Sequence, residues 1–409
     1  MSKPEELPRT IRAEAVLVAF ASMPLMRQTV FRSPKFLDGK IDKEVCDTLL
    51  VHRGEAIVIQ MKAHQEPKSE QATRKWVAKQ FPRALSQVIG AQRTLRERST
   101  WCEHELSGRV EIPAGTIRPR HALVLLESEV EAHVHATDAP AAATTSQIPL
   151  TVMSIQDFLS LLRHLRTWRD LIKYLEARSA CLGPPDSLTI GNEPALLGYY
   201  TAMRDSFRGC RGIVDARLVT ARGEHIEPES AFRDKERHLA SILESLMDHM
   251  PSMTEIVLPP DLEHMRNMLV PLDRGQAELR DELCNLTIQE RAALAEQIGV
   301  ISGRFIEEQP DGPLYGGVRF GRHPEHLYMI VVGSNPDHEM LGVHAMDVTV
   351  AGCVHYRRTI GISILLNQIG ETMKFNLAKF GNVQPTVEMV MAGQEYFGHI
   401  RPRSVTVAR

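Results

Sequence analysis

The chain has 409 residues and a net charge of −3, with 43% hydrophobic and 24% charged residues. That is the composition of a soluble globular protein, too long for one typical core, so two domains are the natural expectation. The charge excludes a protein that is basic overall, and nucleic-acid binding has to be judged segment by segment.

The six cysteines, Cys46, Cys102, Cys181, Cys210, Cys284 and Cys353, form no C-x-x-C pair. A structural zinc site has no support, and reduced thiols in an intracellular, cytoplasmic protein are expected. The opening stretch "MSKPEELPRTIRAEAVLVAFASMPLM" reads as neither a signal peptide nor a membrane span. No later run reaches the roughly 18 apolar residues that a span needs.

Residues 10–27 predict a first helix, with Thr10 as its cap, an apolar stripe from Ile11 to Met26, and Pro24 near its end. The polar stretch "RSPKFLDGKIDK" leads into a hairpin, "VCDTLLV" and "AIVIQMK", around His52-Arg53-Gly54-Glu55. "QEPKSEQ" is a loop. "ATRKWVAKQFPRALSQVIGAQRTLRERS" predicts a helix broken near Phe81, with Pro82 opening its second part. Residues 70–98 hold seven basic and two acidic side chains, a local excess of positive charge.

"RVEIPAG", "HALVLLESE" and "LTVMSI" predict strands, and the Ala/Thr/Pro-rich residues 135–149 a loop. One helix is expected over residues 154–179, capped through Ser154 and Asp157. The Gly/Pro/Asn-rich residues 181–194 mark a linker between a first domain, 1–180, and a second, 195–409. In the second, helices are expected near 230–250 and 288–308 (capping box Thr287/Glu290), with strands at "HLYMIVVG" and "TIGISILL".

The hairpin carries the chemistry. Its strands have near-continuous apolar centres, as strands covered on both faces do. With Arg53-Gly54 as the loop, Asp47 faces Gln60; with Gly54-Glu55, it faces Lys62. Either turn places Asp47, Gln60 and Lys62 on one face. Such polar groups on an apolar sheet are costly without a purpose. Mg²⁺ takes oxygen ligands, usually one or two carboxylates with waters and phosphate. Asp47 can bridge metal and phosphate, and Gln60 can give a neutral oxygen. Lys62 can position or help deprotonate the attacking water. Glu44 or Glu14 could supply a second carboxylate.

Other features read as ordinary. "WCEH" (101–104) lacks partner spacing for a ligand or nucleophile pair. His323, His326, His338, His344 and His355 read as loop histidines, and "YGGVRFG" matches no nucleotide-binding pattern. Trp76 reads as a core residue.

The order helix, Asp strand, turn, Gln-x-Lys strand, basic helix resembles the PD-(D/E)xK nuclease superfamily. It is most similar to the Mrr-like branch, where about a dozen residues separate Asp from Gln-x-Lys; here twelve separate Asp47 from Gln60. The resemblance covers roughly residues 10–178. It departs from the commonest pattern in carrying Gln60 where an acid is usual, and "DKEVCD" where a Gly-rich approach is frequent.

The resemblance implies a restriction-endonuclease-like α/β domain, a mixed sheet flanked by helices, followed by a second α+β domain. It implies Asp47 and Gln60 as ligands of Mg²⁺ or Mn²⁺ and Lys62 as the catalytic lysine; the ion is then expected on Asp47, on the Gln60 side-chain carbonyl or the backbone carbonyl of Met61, and on Glu44 or Glu14. The reaction is then phosphodiester hydrolysis in DNA. Arg74, Lys75, Lys79, Arg83 and Arg93 are the expected phosphate contacts. No membrane partner is expected. RNA as substrate, a catalytically silent nucleic-acid-binding or scaffold module, and a homo-oligomer stay open. The second domain is expected to recognise, assemble or regulate.

Overall fold

The structure is a computed structural model that describes residues 16–20, 23, 25–62, 70–104, 107–126, 148–182, 193–203, 205–207, 231–248, 282–321, 323–334, 350–352, 354, 358–366, 372–381, 386–398 and 403–405. The chain divides into two compact units, Met1–Ser230 and Ala231–Arg409. No helix among the described residues is long and apolar enough to cross a membrane.

The first unit is a mixed α/β fold built on one sheet. Its strands are β1 (Val30–Asp38), β2 (Ile41–Glu44), β3 (Thr48–His52), β4 (Glu55–Lys62), β5 (Thr100–His104), β6 (Gly108–Ile112), β7 (Arg118–Leu126) and β8 (Leu150–Ser154). Their order is β6-β5-β1-β3-β4-β7-β8, with β2 paired to β1. β1, β3 and β4 form an antiparallel meander, and β7 and β8 continue it in parallel from β4.

The expected hairpin is β3–β4. Thr48 pairs with Ile59 and His52 with Glu55, which selects the Arg53-Gly54 turn. Both turn residues have positive φ, 50° and 76°, as the two-residue turn matching strand twist demands. A Cβ at Gly54 would also lie 3.3 Å from the Thr116 carbonyl oxygen.

Helix α1 (Glu70–Glu97) covers one face of the sheet. Phe81, Ala84, Leu85 and Val88 pack on Val124, Leu126 and Val152. Ala91 and Leu95 pack on Leu49, Ala56 and Val58. The expected break at Phe81 is absent, and α1 runs through Pro82. Pro82 costs the ladder one N–H but stands on the exposed side, while the apolar stripe before and after it holds the helix on the sheet.

Leu50, Ile57, Ile59, Leu123 and Leu125 fill the opposite face, under helices α2 (Ile155–His164), α3 (Trp168–Leu182) and α4 (Glu193–Ala202) and residues 16–20, which are helical. Ser154 caps α2 as expected, accepting the Asp157 N–H at 2.9 Å. The single helix expected here is two. Thr167 accepts the Asp170 N–H at 3.1 Å and starts a new helix after Leu165 closes the first.

The boundary also moves. Residues from 195 onward were expected in the second domain, yet Leu196, Leu197, Tyr199 and Tyr200 of α4 belong to the core of the first unit. Buried Arg178 donates to Glu193 at 2.7 and 3.1 Å, and Tyr174 donates to the same carboxylate at 2.5 Å. Most of the expected linker 181–194, and residues 135–147 of the expected loop, lie outside the described residues. So does most of the "QEPKSEQ" loop. Cys46 and Cys102 carry no disulfide, but Cys181 is disulfide-bonded, against the expectation of reduced thiols throughout.

The polar stretch before the hairpin is a hairpin itself, β1–β2, turning at Gly39 with φ 67°. A bulge at Ser33-Pro34, with Ser33 at φ 41°, interrupts its alternation and hides it in the sequence.

The second unit holds α5 (Ala231–Asp248), α6 (Ile288–Glu308), α7 (Val387–Phe397) and a smaller sheet. Its strands are β9 (Leu314–Phe320), β10 (His323–Gly333), β11 (Arg358–Leu366), β12 (Thr372–Gly381) and β13 (Arg403–Val405), in the order β12-β11-β10-β9-β13. Both sides of the expected Thr287/Glu290 capping box are present at α6. Gly316 of "YGGVRFG" serves packing: a Cβ there would run into the Ile301 side chain of α6. His326 is buried in β10, and His338, His344 and His355 lie outside the described residues.

Candidate active site

Asp47 stands one residue before β3, and the hairpin register carries it opposite Gln60. The Gln60 side-chain amide donates to Asp47 Oδ2. The Met61 backbone N–H donates to the same oxygen at 2.6 Å. On the other side, the Asp47 carbonyl accepts the Ser33 N–H of β1 at 3.0 Å. Two strands, β4 and β1, therefore hold this aspartate just ahead of β3.

Gln60 is buried, and Asp47, Met61 and Lys62 are half-buried. Burial raises the Asp47 carboxyl above its ordinary pKa. The Met61 N–H, the Lys62 ammonium and the Gln60 amide oppose the shift, and the neighbouring Glu44 carboxylate adds to it. The adjacent Cys46 thiol is pushed far up, first by burial and then by Asp47 and Glu44. It is an inert packing residue rather than a nucleophile.

Lys62 ends β4, in register with Leu126 at the end of β7 and, through it, with Ser154 at the end of β8. The site thus lies at the carboxyl ends of three parallel strands, where open α/β sheets bind their ligands.

Glu44 ends β2, is exposed, and acts on Asp47 through its charge. Glu14 lies outside the described residues, as does the Arg74 side chain within α1. Lys75, Lys79, Arg83 and Arg93 are exposed on the side of α1 away from the sheet, and the structure shows no hydrogen bond or ion pair between these side chains and the hairpin residues. Two further basic residues of this segment are ion-paired: Arg96 with Glu97 at 3.0 Å and Arg98 with Asp38 at 3.1 Å.

Among the described residues no group of three or more His, Cys, Asp or Glu gathers as a metal cluster. The donors present are one carboxylate and neutral oxygens, Gln60 Oε1 and the Met61 carbonyl. These are hard oxygen donors, suited to a cation that keeps several waters. Gln60 now offers its nitrogen to Asp47, and half a turn about its last side-chain bond would present the oxygen instead. The residues fit a divalent cation on those terms.

Sequence reasoning missed a groove lined by Arg32, Ser33, Lys35, Trp101, Glu103 and His104, whose Arg32 is in register with Thr48 and so lies on the other face of the sheet from Gln60 and Lys62. "WCEH", which lacks the spacing of a ligand or nucleophile pair, is strand β5, with Cys102 and His104 buried and Trp101 and Glu103 on the other face. The alternation in T-W-C-E-H was the available signal. No family model, curated protein or solved structure matches the chain.

Proposed function

We propose that this chain is a metal-dependent phosphodiesterase, a DNA endonuclease of the PD-(D/E)xK kind that its hairpin resembles. The observation that carries the reading is the Asp47 carboxylate, held by Gln60 and by the Met61 N–H with Lys62 next along the strand. The flanked mixed sheet supports it.

A bound Mg²⁺ or Mn²⁺ supplies an acidified water and neutralises charge on the phosphoryl oxygens. Asp47 and the oxygens of Gln60 and Met61 would hold that ion. The Ser33 and Met61 N–H groups orient Asp47 before substrate arrives. Lys62 places a positive charge beside the phosphate and orients the attacking water. Hydrolysis adds that water across one P–O ester bond and yields a phosphate monoester and an alcohol. A role in defence against foreign DNA rests on the resemblance alone.

One observation favours a second reading, a catalytically silent nucleic-acid-binding or scaffold module: the Gln60 amide nitrogen already satisfies Asp47 without a cation. Incubating supercoiled plasmid with wild type and Asp47→Ala, in Mg²⁺, Mn²⁺ or EDTA, separates the two. Metal-dependent nicking lost in the variant supports the enzyme; equal binding with no cleavage supports the silent module. Competition with labelled RNA separates nuclease from ribonuclease.

A further inference from the structure

Among the described residues, the candidate site offers a divalent cation one carboxylate. Asp47 brings a negative charge. Lys62, next along β4 from Met61, brings a positive one that acts on it. Gln60, at the position where the resembling family usually has an acid, brings none. Glu44 is another acid whose charge reaches Asp47, but it is exposed and in register with Lys35, whose charge offsets its own. The protein's own charges therefore balance where the ion would sit.

The number of charged ligands tunes how tightly an oxygen site holds a dication, and Mg²⁺ is usually held by one or two carboxylates completed by substrate phosphate. With Asp47 offset by Lys62, this site stands at the weak end of that range. Gln60 adds a second obstacle. Its amide nitrogen donates to Asp47 Oδ2, and the Met61 N–H donates to the same oxygen at 2.6 Å. One carboxylate oxygen is thus taken up by two N–H groups, and turning the Gln60 amide to present its oxygen breaks one of these bonds. A phosphodiester changes the balance. It carries a negative charge on its free oxygens, which attracts both the Lys62 ammonium and a dication.

We propose that Gln60 makes cation binding conditional on substrate: the free protein holds Mg²⁺ or Mn²⁺ weakly, and the DNA phosphodiester supplies the anionic oxygen that the missing acid would have given. The inference rests on the nuclease reading and adds to it what regulates the site. The Gln60–Asp47 hydrogen bond is then the resting state, and the site loads where a strand lies across it. Linkage makes the coupling reciprocal, so the cation tightens DNA binding by the factor by which DNA tightens cation binding.

The test uses Ca²⁺, which takes the same kinds of oxygen ligand and acidifies bound water less. Calorimetry titrates Ca²⁺ into the full chain, alone and with a 30-base-pair duplex, and Asp47→Ala reports binding elsewhere on the surface. Fluorescence anisotropy follows the labelled duplex in EDTA and in Ca²⁺. The duplex should tighten Asp47-dependent Ca²⁺ binding on the order of tenfold or more, a coupling of ordinary size. Ca²⁺ should tighten the duplex equally, although screening alone would weaken it. Gln60→Glu should bind Ca²⁺ on the order of tenfold tighter without DNA and show a smaller coupling. The wild-type ratio decides by itself, whatever Gln60→Glu does to folding.

Equal Ca²⁺ affinity of the free and the DNA-bound wild type overturns the coupling, and if Mg²⁺ still supports cleavage the nuclease reading stands without it. Asp47-dependent coupling with no cleavage in Mg²⁺ or Mn²⁺ keeps the coupling and defeats the hydrolytic reading. No duplex binding in either condition defeats both.

Discussion

Asp47 and Met61 are joined by one backbone hydrogen bond of 2.6 Å, from the Met61 N–H of β4 to the Asp47 carboxylate. It fixes a half-buried acid at the end of a hairpin whose buried polar residues are Thr48, His52 and Gln60 among apolar neighbours. The contact satisfies the carboxylate in part, yet burial still lifts its pKa. A group placed this way costs the fold something at neutral pH, and a bound cation recovers it.

Asp47→Asn tests that cost. The folded-state pKa of Asp47 is raised, so its favourable contribution is present at pH values below the unfolded pKa and is lost as pH rises through the folded one. At pH 7 the ionised group is therefore a liability. The variant, which still accepts from the Met61 N–H, should melt higher than wild type at pH 7, and the difference should vanish towards pH 3. Thermal melts across that range give the sign, and the variant should have lost its metal-dependent cleavage.

Gln60→Glu restores the acid usual in the resembling family. It places two carboxylates in contact when no metal is bound, so the apo protein should melt lower than wild type at pH 7. Added Mg²⁺ should raise the melting temperature of the variant more than that of wild type, since tighter binding stabilises more at equal concentration. Differential scanning fluorimetry over a Mg²⁺ series reads both.

The buried tie between Arg178 and Glu193 predicts where the chain can be cut. A fragment ending at residue 230 should unfold cooperatively. One ending at residue 192 strands the buried Arg178 and removes α4. Stranding a buried charge costs about 3–5 kcal/mol, a large part of the roughly 5–15 kcal/mol that holds a domain. Urea titration of the two fragments checks it.

His121 predicts an acid-sensitive step. It is fully buried against Thr151, and burial, with the Arg178 charge second, lowers its pKa to about 3. The folded state keeps it neutral while the unfolded chain protonates near pH 6.5. Its contribution is therefore intact above that value and lost as pH falls towards 3. His121→Gln should flatten the stability loss of wild type between those limits in chemical denaturation at stepped pH.

The hairpin was legible because a period of two and a short turn leave few registers, and either candidate turn kept Asp47, Gln60 and Lys62 on one face. The choice between turns needed the backbone: Arg53 takes a positive φ that its residue type does not announce. Pro82 misled because a proline on the solvent side of a well-anchored helix does not end it. Thr167 and Glu193 misled in the opposite way. A cap and a buried ion pair act through single side chains, which local composition around residues 165–194 conceals. β1 was hidden by its bulge, and with it the groove at Trp101.

The most direct test of the central claim is a single-turnover reaction. Labelled DNA is bound to protein in EDTA, Mg²⁺ in excess starts the reaction, and wild type is compared with Lys62→Met. Wild type should cleave, and the variant should bind the DNA yet cleave about 10²- to 10⁴-fold more slowly, the share of one positioned proton-transfer group. Equal rates in the two proteins would show that the hairpin does not carry the chemistry.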